Sequence, residues 1–100
     1  MPAVKHIAAA RFKAGVSEQK IADWFESVGR LRDVIPGVLD YAWGRNHSPE
    51  GLSQGLTHAF VTTFASAAAR DAYLAHPAHE TVKASILPDV EAVVVVDFDA

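Results

Sequence analysis

The sequence predicts an α+β fold: four strands and two helical regions in the order βαββαβ, forming one four-stranded antiparallel sheet with its helices on a single face. Three observations carry this. Apolar residues alternate along the first and third strand candidates, which is the period of a half-buried strand. Between strands, apolar residues recur at helical spacing behind serines that suit helix N-caps. The last candidate, "AVVVVDF" (Ala92 to Phe98), is apolar on both faces, so the side of the sheet without helices also needs cover. At 100 residues, a single domain spanning 1–100 is expected.

The first strand runs from about Val4 to Phe12. Val4, His6, Ala8, Ala10 and Phe12 share one face, and Lys5, Ile7, Ala9 and Arg11 the other. Ala14-Gly15 ends it. Ser17 is an N-cap candidate, and Glu18 suits the positive end of a helix dipole. Ile21, Trp24, Phe25, Val28 and Leu31 then form an apolar stripe, closed by Ile35-Pro36-Gly37. Val38 to Trp43 is the second strand. Gly44 to Gly55, "GRNHSPEGLSQG", is rich in turn formers and reads as a loop. Leu56 to Phe64 is the third strand, with His58, Phe60, Thr62 and Phe64 on one face. Ser66 caps a helix running to about Leu74. Pro77 interrupts it, and a second segment runs to about Leu87. This order is the ferredoxin-like arrangement. Its helices cover one face of the sheet. The other keeps residues such as Ala59, Val61, Val94 and Val96, which predicts a homodimer packed sheet face to sheet face.

Composition narrows the function. Half of the residues are hydrophobic and 21% are charged, the balance of a globular domain. Much of that hydrophobicity is alanine, and a domain this short buries only ~60–70% of its unfolded surface, so a partner subunit would help. The formal charge is −3 and the nine Lys and Arg are scattered, which argues against a nucleic-acid partner. There is no cysteine, hence no disulfide, thiolate nucleophile or Cys-based zinc site. The opening "MPAVKHIAAARF" lacks the apolar core of a signal peptide, and the run from Ala92 to Val96 is too short to span a bilayer. A soluble, cytoplasmic protein without membrane attachment is expected.

Chemistry concentrates in Ala72 to Glu80, "AYLAHPAHE". A phenol and two imidazoles lie within seven residues, and histidine changes charge near neutral pH. Three readings stand side by side. The stretch is a proton-transfer site, a metal site, or a kinked helix that contains histidines. On a straight helix, six residues advance ~600°, leaving Tyr73 and His79 about 120° apart. A break at Pro77 swings His79 toward Tyr73 and leaves His76 pointing elsewhere. The plain reading makes Tyr73 a core aromatic and Pro77 the first residue of a new helix. A metal reading joins His76 and His79 with Glu80 or His47, but zinc needs three or four converging ligands. His6 and His58 occupy compatible faces of neighbouring strands, either as satisfied core histidines or as the polar end of an apolar cavity. Trp24, Phe25, Tyr41 and Phe60 are candidates for its wall or for ordinary core. Ser48 and His47 in the loop show no nucleophile–base arrangement.

"VKHI" at the start of the first strand, "IPG" before the second, "WGRNHSPEGLSQGLTHAFVTTF" and "AYLAHPAH" together resemble the stress-responsive A/B barrel domain (Dabb) family. The resemblance runs from Val4 to Phe98 and implies a dimeric α+β barrel. It implies no single activity: some plant members are stress-induced structural proteins, and one is a cofactor-independent polyketide cyclase. In that cyclase the tyrosine and second histidine of a Y-x-x-H-P-x-H pattern carry the chemistry, and these match Tyr73 and His79. Its further pocket histidines match His6 and His58. The resemblance thus implies a neutral imidazole base, a phenol that donates to an enolate oxygen, and no cofactor. Val28 and Val90 stand where that cyclase has a tyrosine and a tryptophan, so a different ligand is implied. A cation site on the backbone carbonyls of Arg32, Ile35 and Val38 is a further implication from plant members. Three functions follow as expectations: small-ligand binding at a His/Tyr-lined pocket, proton-transfer catalysis, and structural self-association.

Overall fold

A computed structural model describes residues 2–100. Strands β1 (Val4–Phe12), β2 (Val38–Arg45), β3 (His58–Phe64) and β4 (Val90–Asp99) form one antiparallel sheet in the spatial order β2-β3-β1-β4. Helix α1 (Glu18–Arg30) links β1 to β2. Helices α2 (Ala67–Ala75) and α3 (Pro77–Ile86) link β3 to β4. The fold is ferredoxin-like, as the strand and helix patterns predict. Among the described residues, no helix is long and apolar enough to cross a membrane.

Local chemistry fixes each helix. The Ser17 hydroxyl accepts from the Lys20 amide at 3.1 Å, and the Ser66 hydroxyl from the Ala69 amide at 3.1 Å, so both serines cap as expected. After α1, one turn of tighter helix (Leu31–Asp33) leads into Gly37, whose φ of +97° favours glycine. A Cβ there would lie 2.7 Å from that of Ala69, so this turn packs directly on α2. Gly29 plays a similar part on α1: a Cβ would meet the Tyr41 ring at 2.9 Å.

Pro77 does break the second helical region. The backbone of His76 is extended (φ −69°, ψ 136°), and Pro77 starts α3 at a position where its missing N–H costs nothing. The His76 ring serves the break itself, because Nδ1 accepts from the Ala78 amide at 3.0 Å.

The core sits between sheet and helices. Val4, Leu31, Ile35, Phe64 and Tyr73 form its densest cluster. On the sheet's other face the register aligns Ile7 with Val61 and Val96, and Ala9 with Ala59 and Val94. Val94, Val96 and Phe98 remain about half exposed there.

Candidate active site

Between the helix-covered face of β1 and β4 and the helices α1 and α3 lies a cavity of about 330 Å³. Its floor follows from β1: Ala8 and Ala10 point toward the helices where a larger side chain would fill the space. Trp24, Phe25 and Phe60 line it, as do Val28 and Val90. The Trp24 indole N–H donates to the Val82 carbonyl at 2.9 Å and ties α1 to α3 over the cavity. Its polar lining includes His6, Tyr73, His79 and Lys83. Leu87, Val93 and Val95 border it while remaining half exposed, so it opens between the end of α3 and the edge strand β4.

Tyr73 and His79 meet across the Pro77 break, with ring centroids 5.0 Å apart. His79 Nδ1 lies 3.2 Å from the carbonyl oxygen of Leu74. A carbonyl only accepts, so Nδ1 is the nitrogen that carries hydrogen in this bond. In the neutral ring Nε2 is then left with its lone pair. Burial lowers the His79 pKa below the ordinary histidine value, against the opposing pull of the Leu74 carbonyl. The ring is therefore neutral at physiological pH. Tyr73 is 3% exposed, and burial pushes its pKa up to about 12. Its hydroxyl stays protonated and able to donate.

His6 belongs to a second group that the sequence did not announce. Its Nδ1 lies 2.7 Å from Asp97 Oδ1, and the other oxygen of Asp97 accepts from Arg70 Nη1 at 3.0 Å. The β1–β4 register sets His6 opposite Asp97. The carboxylate fixes the ring's orientation, and the guanidinium compensates the carboxylate.

Two predicted pocket residues are placed elsewhere. His58 does not border the cavity. It is 3% exposed with its ring 5.9 Å from that of Phe25, its Nδ1 2.8 Å from the Thr57 hydroxyl and its Nε2 3.2 Å from Glu18. It joins β3 to the start of α1, where Arg45, then burial and His58, act on Glu18 with the net effect of lowering its pKa. Tyr41 also lies outside: its hydroxyl donates to the Phe25 carbonyl at 2.8 Å, and burial raises its pKa. Both are polar groups satisfied within the protein, the alternative that alternation along a strand could not separate from a cavity wall. Among the described residues, no group of three or more His, Cys, Asp or Glu could hold a metal ion. His47 lies in the exposed loop.

The stress responsive A/B barrel domain model matches residues 4–100. The chain belongs to that family. The stress-response A/B barrel domain-containing protein HS1 of Arabidopsis thaliana is 39% identical over 95 residues, covering 95% of this chain and 87% of HS1. Olivetolic acid cyclase of Cannabis sativa is 32% identical over 77 residues, covering 77% of this chain and 76% of the cyclase. Among solved structures, the hydroxynitrile lyase of Passiflora edulis superposes with a TM-score of 0.90 at 27% identity, covering 99% of this chain and 94% of the lyase. A Thermobifida fusca protein described as dimeric and ferredoxin-like gives 0.80 at 27% identity, covering 99% and 92%. This A/B barrel chain is thus similar in sequence to proteins named as a cyclase and a stress-response protein, and in fold to one named as a lyase.

Proposed function

We propose that this A/B barrel protein binds a small, partly apolar carbonyl compound in the cavity and moves a proton on it without a cofactor. The observation that carries the reading is the Leu74 carbonyl bound to His79 Nδ1. It leaves Nε2 of a neutral ring as a base beside a phenol, in a lining that is otherwise largely apolar. In the proposed step, Nε2 takes a proton from the carbon next to the carbonyl. The electron pair of the broken C–H bond becomes an enolate, whose oxygen accepts from the Tyr73 hydroxyl. The resulting imidazolium later returns the proton to the product. His6, held by Asp97, is a second polar contact for the substrate. A family that includes an olivetolic acid cyclase and a structural neighbour that is a hydroxynitrile lyase support chemistry of this kind.

The test is exchange of the α-protons of linear poly-β-keto esters in deuterated water, followed by NMR. His79→Ala abolishes the catalysed exchange. Tyr73→Phe lowers it by ~10²–10³, the cost of one enolate-stabilising donor. Because the base is the neutral ring, the rate rises with pH through the lowered His79 pKa, and its acid limb lies below the ordinary histidine value of 6.5. Seating of these esters with no exchange would leave a binding protein.

The same reading includes a homodimer. The open sheet face carries Val94, Val96 and Phe98 half exposed, and structural neighbours are described as dimeric. A standard interface buries ~1,600 Å² in total. Val94→Asp or Val96→Asp converts the dimer to monomer in analytical ultracentrifugation. A wild-type chain that sediments as a monomer at micromolar concentration would remove the dimer.

A further inference from the structure

Among the described residues, one side chain with a permanent charge at neutral pH lines the cavity: Lys83. His79, Val82, Lys83 and Ile86 all border it at the i, i+3, i+4, i+7 spacing, so one stripe of α3 looks inward. Helical side chains lean toward the helix N-terminus. Lys83, four residues after His79, therefore reaches back toward the turn that bears the imidazole. Its charge is felt there. After burial, the leading cause, Lys83 is among the influences that lower the His79 pKa.

Most other charges near this region are matched; the exposed Glu80 carboxylate is not, and it lies 4.0 Å from His79 Nδ1 outside the cavity lining. Lys20 pairs with Asp89 at 2.6 Å and Arg11 with Glu91 at 3.2 Å, and Arg70 holds Asp97 behind His6. No ion pair within the described residues engages Lys83. No carboxylate lines the cavity. An unpaired ammonium at the rim of an otherwise apolar space leaves its charge for the occupant.

We infer that Lys83 recognises an anionic end of the ligand, so the cavity takes small amphiphilic acids: an apolar body against Phe25, Phe60 and Val95, and a carboxylate at Lys83. This rests on the reading that the cavity binds a small ligand, and it adds the ligand's charge. The carboxylate end would lie at the rim, and the carbon to be deprotonated deeper, toward His79 and Tyr73.

Octanoate and octanamide test this, since they share an apolar chain and differ in charge. Amide shifts of Tyr73, Leu74 and Val95 in ¹H–¹⁵N spectra report seating and affinity. Octanoate binds the wild-type chain about fivefold more tightly than octanamide, the upper range for a partly exposed ion pair. Lys83→Gln removes the preference and leaves octanamide unchanged, while Lys83→Arg keeps it. Lys83 is exposed, so these variants fold. The His79 titration gives a readout without ligand: its pKa rises in Lys83→Gln. Equal binding of both probes to the wild-type chain, or a preference that survives Lys83→Gln, overturns the inference and leaves ligand binding standing. An unmoved His79 titration overturns it too. If neither probe seats in the cavity, the binding reading falls and takes the inference with it.

Discussion

Phe64 and Val95 point to the same side of one sheet, yet Phe64 is fully buried and Val95 is 55% exposed. Around Phe64, the turn after α1 and helix α2 close over β3: Tyr73 sits edge-on at 4.8 Å, with Val4, Leu31 and Ile35 completing the cluster. Around Val95, the small floor of Ala8 and Ala10 leaves a space that α3 borders without filling. The first region holds the fold together. The second gives up burial for volume and is where the proposed ligand would sit. Tyr73 belongs to both, since its ring packs on Phe64 while it also borders the cavity.

The contrast is broken most easily by truncation on each side. Phe64→Ala costs about 3–5 kcal/mol in urea denaturation, because a large aromatic is lost from a packed site. Val95→Ala costs under about 1 kcal/mol, since half of that side chain is already exposed and its neighbours face open space. Equal costs would mean that the cavity side is as tightly held as the core.

A smaller effect separates the two histidines of the Pro77 break. His76 serves the fold by capping α3, so His76→Ala lowers stability by about 1 kcal/mol and leaves proton exchange intact. His79 contacts the cavity, so its removal acts on exchange first. Loss of exchange in both variants would assign the chemistry to the break as a whole instead of to one ring.

Much of this division was legible in the sequence. Alternation placed His6, Phe60 and Phe64 on the helix-facing side, and Ser17 and Ser66 marked two helix starts. Pro77 announced the break that brings Tyr73 to His79. What was not legible depends on distant partners. Asp97 lies 91 residues from His6 and becomes its partner only through the β1–β4 register. Lys83 looks like one surface lysine among several until α3 is known to restart at Pro77, which sets its phase relative to His79. His58 and Tyr41 misled for the converse reason. A polar residue on an inward strand face can be satisfied by a neighbour such as Glu18 or the Phe25 carbonyl, and the strand pattern is the same either way.

The proposed chemistry requires that the neutral ring of His79 keep its hydrogen on Nδ1 and offer Nε2 to the cavity. Imidazole ¹⁵N–¹H correlation spectra across a pH titration measure this directly, with a His79→Gln variant to assign the signal. A protonated Nδ1, an unprotonated Nε2 and a pKa below the ordinary 6.5 are expected. A neutral ring protonated on Nε2, or a pKa at or above 6.5, would contradict the proposed chemistry.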